Sequence, residues 1–158
     1  MMHAAKPSPP RILIRGAGPG DLPEMMRIER ASFPTPWTVS MYFKEMVREQ
    51  AVFLAAMAGP RLAGYACGWS VEDEGHLLKI AVDEEFRRQA IGRTLMAAME
   101  AEFQARAVRE IWLEARERNL AGKSFYLALG YSEMGRRKKY YSDTDEDALL
   151  MMKRIGEE

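Results

Sequence analysis

Three residues in the second half of the chain have the types and spacing to move protons. Glu114 lies near the end of a short apolar run, EIWLEAR over residues 110–116. Asn119 opens the following segment and Tyr126 lies seven residues beyond it. Seven residues is close to two helical turns, so these two fall on nearly one helical face, with Lys123 between them. A carboxylate and a phenol that converge beside a cofactor cleft can serve as general base and general acid. The same three also suit purely structural work: Asn119 as a helix N-cap, Tyr126 as a half-buried core residue, Glu114 in an ion pair with Arg116.

A second cluster suits binding rather than reaction. The run RRQAIG over residues 87–92 sits between an apolar strand and an amphipathic helix. The unpaired N–H groups of a first helical turn can hold phosphate oxygens, Gly92 lets backbone approach closely, and the arginines add charge. Taken alone, the run also reads as a plain helix start with exposed arginines. A P-loop is excluded because no GK[ST] follows, and the glycines are too few for a dinucleotide fingerprint. A third cluster joins the basic run GRRKKYY (135–141) to the acidic run SDTDED (142–147). Such neighbours usually form a solvated hairpin, but Tyr140 and Tyr141 at its base can line a substrate groove. Cys67 lies among small residues with no basic neighbour in sequence, which fits a packing role rather than a nucleophile.

The elements that position these residues follow from pattern. Residues 11–15 form a short strand. Asp21 is placed to cap a helix over 22–32, with Glu24 in capping-box position. The prolines of FPTPW (33–37) end that helix, and a second helix follows Thr38. Residues 51–58, 61–71 and 76–82 are strands joined by short turns, which favours an antiparallel meander. Ile91, Leu95, Met99 and Phe103 recur every four residues, as one helix face does. Residues 110–116 form a strand with Ile111 and Leu113 on one face and Trp112 and Glu114 on the other. A helix from Asn119 stops at Gly130. Residues 131–141 and 148–154 are the last two strands.

Composition sets the bounds. The chain has 158 residues, 47% hydrophobic and 29% charged, with 23 basic and 23 acidic side chains. This suits one domain with its own core, expected over residues 11–158, after a flexible tail over residues 1–10. Net neutrality argues against a nucleic-acid footprint. Two histidines and one cysteine offer no zinc-ligand spacing, so no metal is expected. No apolar run approaches a membrane span of ~18 residues. With no targeting segment, the cytoplasm is the default expectation.

Read together, the segments resemble the GNAT superfamily of N-acetyltransferases over about residues 11–154, and within it the RimI type that acetylates the N-terminal alanine of ribosomal protein S18. The stretches that carry the resemblance are FPTPW (33–37), IAVD (80–83), RRQAIGR (87–93), LEARERN (113–119), FYLALGY (125–131), RRKKYY (136–141) and EDALLM (146–151). The resemblance implies an α/β GNAT fold: an antiparallel meander, then a parallel strand pair splayed around acetyl-CoA, flanked by helices. It implies direct acetyl transfer to a protein N-terminus by a monomer or weak dimer. Amides around Ile80, Ala81 and Val82 would hold the pantetheine arm and acetyl carbonyl. Those of Arg87, Arg88, Gln89, Ala90, Ile91, Gly92 and Arg93 would hold the pyrophosphate, and Asn119 the arm. Glu114 would match the general base and Tyr126 the general acid, with Trp37, Tyr140 and Tyr141 lining the peptide groove.

The sequence departs from the family pattern twice. Ala90 stands where the loop motif has a glycine, which is free of strain only at negative φ. Thr35 stands between two prolines of the acceptor loop, which bears on peptide preference rather than chemistry. Transfer to a small-molecule amine, or acetyl-CoA binding without catalysis, are the alternative readings.

Overall fold

Residues 51–58 are apolar throughout and 61–71 interleave small with large residues, and these runs form a long antiparallel hairpin. In the computed structural model, which describes residues 11–156, they are β2 (Ala51–Ala58) and β3 (Arg61–Val71). Gly59 makes the turn at φ 60°, a left-handed conformation that suits glycine. β1 (Ile12–Gly16) pairs with β2, and β4 (Glu74–Val82) with β3, completing the expected meander. The expected tail over residues 1–10 lies outside the described residues.

β5 (Glu110–Arg116) runs parallel to β4, but their register covers only Glu74 to Glu110, Gly75 to Ile111 and His76 to Trp112. Beyond His76 and Trp112 the strands part. The cause lies in β4. Cys67 faces Lys79 and Gly68 faces Leu77, so Leu78 is an extra residue that bends the strand. Gly68 permits this, since a Cβ there would lie 2.3 Å from the His76 carbonyl oxygen.

The final strands depart from sequence order. β7 (Glu146–Arg154) lies between β5 and β6 (Ser132–Tyr141), antiparallel to both, in a seven-stranded sheet ordered β1-β2-β3-β4-β5-β7-β6.

Helices cover both faces. α1 (Leu22–Ser32) and α2 (Val39–Met46) pack Met25, Ile28 and Tyr42 against Phe53, Tyr65 and Cys67. α3 (Ile91–Ala105) and α4 (Leu120–Ala128) lie on the other face. Ile91, Leu95, Met99 and Phe103 are all buried there, as their four-residue spacing requires. Thr38 caps α2 by accepting from the Met41 N–H at 3.2 Å. Asp21 does not cap α1. It has helical dihedrals, accepts from the Gly18 N–H at 2.9 Å and pairs with Arg15 at 2.8 Å. Glu24 instead accepts from the Leu62 N–H at 2.9 Å, so tertiary partners displace the local capping box. Cys67 is buried beneath α1 and burial pushes its thiol pKa up, consistent with packing.

Gly68→Ala forces a methyl into the bulge and is expected to destabilise the fold by about 1–3 kcal/mol. Thermal unfolding checks this, at roughly 2–4 °C per kcal/mol for a chain of this size.

Candidate active site

The loop after β4 is anchored at Asp83, a nearly buried carboxylate that pairs with Arg27 at 2.7 Å and accepts from the Glu85 N–H at 3.0 Å. Burial pushes its pKa up, but Arg27 and the amide outweigh this and hold it below the usual range. From this anchor a 3-10 turn over Glu84–Phe86 leads to Arg87. Arg88 and Ala90 then take positive φ, 66° and 59°, before α3 begins. The condition under which alanine would be free of strain at position 90 is therefore not met.

The first turn of α3 borders a cleft of about 360 Å³ lined by Val82, Phe86, the loop and Phe125. Arg87, Arg88 and Arg93 line it, and no acidic side chain does. Gln89 is exposed and outside the lining. At Gly92 an added Cβ would lie 3.4 Å from the Phe125 ring, so the glycine keeps backbone close beneath Phe125. Helix amides, three cations and an absent side chain form a cradle that fits a phosphorylated group. Phe125 belongs to this cleft, a role that the sequence does not assign to it. Its signals are its place directly before Tyr126 and in the FYLALGY stretch.

Ile80, Ala81 and Val82 lie beyond the point where β4 leaves β5. Ile80 and Val82 pack toward the α3 core, whereas Ala81 is buried toward α1. Asn119 caps α4, accepting from the Gly122 N–H at 3.0 Å, so the structural role read from sequence is real. Its amide nitrogen would lie 2.5 Å from a Cβ at Gly122, so a larger residue there would displace the Asn119 side chain.

Glu114 is half-buried on β5. Its carboxylate stands 3.8 Å from Arg137, whose side chain is 56% exposed, and such an exposed pair is easily broken. Arg116 is not its partner. That guanidinium forms a two-pronged contact with Asp143 at 2.8 and 3.0 Å and lies 4.0 Å from the Tyr141 ring centroid. Burial pushes the Tyr141 phenol up to about 12, with Glu114 adding and Arg116 opposing. Burial and then Tyr141 push the Tyr126 phenol up. Glu114, Tyr141 and Tyr126 are thus electrostatic neighbours, although they come from β5, β6 and α4. Among the described residues the Tyr126 hydroxyl makes no hydrogen bond.

Trp37 packs on Tyr42 with ring centroids 4.9 Å apart. Thr35 donates to Asp143 at 2.6 Å, joining the α1–α2 loop to the β6–β7 loop. This gives Thr35 a partner that no local pattern indicates. Tyr140 is exposed, with Arg137 5.5 Å from its ring centroid. The basic and acidic runs do pair: Arg136 meets Asp147 at 3.2 Å and Glu117 at 3.0 Å.

The strained loop gives a direct test. A left-handed φ costs a non-glycine residue about 1–2 kcal/mol. The greater freedom of glycine in the unfolded chain offsets about 0.4–1 kcal/mol of the relief. Ala90→Gly is expected to raise Tm by about 1–3 °C, and Ala90→Val to lower it, in a thermal melt.

Comparison with known proteins bears on the family and the fold. The model of the Acetyltransferase (GNAT) family matches residues 22–131. The [Ribosomal protein bS18]-alanine N-acetyltransferase of Escherichia coli (strain K12) is 35% identical over 133 residues, covering 83% of this chain and 89% of that one. The crystal structure of the ribosomal-protein-S18-alanine N-acetyltransferase from Escherichia coli superposes with a TM-score of 0.87 at 31% identity, covering 94% of this chain and 96% of the other. Ard1 from Thermoplasma volcanium gives 0.84 at 27% identity, covering 92% and 99%. The splayed mixed sheet, the loop at the start of α3 and the matched residues make this chain a member of the GNAT acetyltransferase family.

Proposed function

We propose that this chain transfers the acetyl group of acetyl-CoA to the α-amine of a protein N-terminus, with the N-terminal alanine of ribosomal protein bS18 as its foremost acceptor. The observation that carries the reading is the Glu114–Tyr141–Tyr126 neighbourhood beside a cationic cleft. The bS18 assignment draws on the names of the Escherichia coli relatives.

In this reading the α3 amides and Arg87, Arg88 and Arg93 hold the pyrophosphate. The backbone of Ile80 to Val82 holds the arm, and the Asn119 amide nitrogen reaches the same arm while its oxygen caps α4. Acetyl-CoA, when bound, supplies a thioester carbon open to attack by a neutral amine. Glu114 removes a proton from the α-ammonium, directly or through water, because an amine is nucleophilic only when neutral. Its exposed partner Arg137 gives way at little cost. Tyr126 keeps its proton at neutral pH, since burial and Tyr141 both favour the neutral phenol. It donates that proton to the sulfur as the C–S bond breaks. Trp37, Tyr140 and Tyr141 line the path of the acceptor chain.

A peptide with the bS18 N-terminus tests the proposal against the same peptide blocked at its α-amine and against polyamines. Acetylation of the free peptide alone is expected. Turnover on polyamines only would indicate a small-molecule acetyltransferase, and no turnover with CoA bound would indicate a binding module. Tyr126→Phe is expected to lower kcat by about 10²-fold while CoA binding survives. The raised Tyr126 pKa keeps the acid form present past the ordinary tyrosine value of about 10. An alkaline fall in kcat below that pH would contradict its role.

A further inference from the structure

Glu29 is a carboxylate with no solvent exposure, on the inner face of α1. Four donors from four segments converge on it. These are the Lys79 ammonium of β4 at 2.6 Å, the Trp37 N–H at 2.9 Å, the Tyr42 hydroxyl of α2 and the Tyr65 hydroxyl of β3. Burial pushes its pKa up, but these donors outweigh it and hold the carboxyl below its ordinary value.

Lys79 links this charge to the loop between α1 and α2. Its side chain is 13% exposed, and the ammonium lies 3.8 Å from the Phe33 ring centroid and 5.2 Å from that of Trp37. One end of the loop is therefore held by a cation against an aromatic face, the other by a backbone N–H on the same carboxylate. The next residue of β4 is Ile80, where the open edge toward β5 continues. A single ion pair thus ties the parted strand edge to the loop that carries Phe33 and Trp37. Apolar residues of equal volume commonly fill such a place with no loss of stability, so stability alone does not account for a buried pair.

We propose that Glu29 is a positioning residue: through Lys79 and the Trp37 amide it fixes the Phe33–Trp37 loop against the Ile80 edge, and so sets which first side chain of an acceptor chain fits beside Glu114. This rests on the reading of that loop as the acceptor loop.

The test removes both charges while keeping volume, in Glu29→Gln/Lys79→Met. The double variant is expected to fold and to raise KM for a bS18 N-terminal peptide at least about tenfold, as a displaced positioning element does. Its KM for acetyl-CoA is expected to stay within about twofold of wild type, because the α3 cradle is untouched. Tyr65→Phe, which removes one donor and leaves the pair, is expected to change neither constant. A double variant that folds with the wild-type acceptor KM overturns the proposal. If the double variant does not fold, Lys79→Gln keeps a donor on Glu29 but removes the cation beneath Phe33, and the same KM split decides. A readout independent of turnover separates this from failure of the proposed function. In a Trp69→Phe/Trp112→Phe background Trp37 is the sole indole. If wild type acetylates no terminal amine, the functional reading fails and emission alone judges the loop. A red shift in the double variant supports release of Trp37, and unchanged emission overturns the proposal.

Discussion

A strand edge inside a sheet leaves backbone donors and acceptors without partners, and the rest of this molecule is arranged around one such edge. β4 and β5 pair through His76 and Trp112 and then separate. Buried N–H and C=O groups need partners, so a parted parallel pair is stable only where solvent or a ligand supplies them. The Leu78 bulge opens the gap, Gly68 makes the bulge possible, and Asp83 fixes the far end of β4. GNAT acetyltransferases use acetyl-CoA, and in this chain the gap leads to the arginine-lined start of α3.

The two sides of the opening carry different chemistry. Toward α3 and α4 lie helix amides, arginines and a glycine beneath Phe125, a surface suited to phosphate. Toward α1, α2 and the β6–β7 loop lie aromatic rings, Glu114, and contacts such as Thr35 with Asp143 that join separate loops. Under the function proposed above, cofactor recognition rests on helix amides and arginines, and acceptor recognition on the aromatic side chains and Glu114. The acceptor side can then vary by substitution without disturbing the cradle.

How much of this was legible in the sequence follows the range of the interactions. The α3 core face, the helix start after Thr38 and the alternation of Trp112 and Glu114 with Ile111 and Leu113 are local patterns, and each appears as read. Glu114 and Tyr126 stand out by type and spacing, and Tyr141, which feels the one and acts on the other, comes from a strand that the spacing does not indicate. What failed was set by distant partners. Asp21 and Glu24 form a local capping box on paper, yet Gly18, Arg15 and Leu62 take their side chains. Glu29 reads as an ordinary helical carboxylate, because nothing nearby announces Lys79 and Tyr65 across the core. The insertion of β7 between β5 and β6 leaves no mark in either strand. Ala90 shows the reverse case: the substitution was visible, but its φ was not.

The most direct measurement is residue-resolved amide hydrogen exchange of the full chain with and without acetyl-CoA. If the parted strands and the α3 start are the cofactor site, the amides of residues 80–82 and 91–93 slow by at least about tenfold on saturation, as ligand-held amides do. Those of β1 and of the β2–β3 turn keep their rates. Saturable binding that leaves residues 80–82 and 91–93 unprotected would contradict the account.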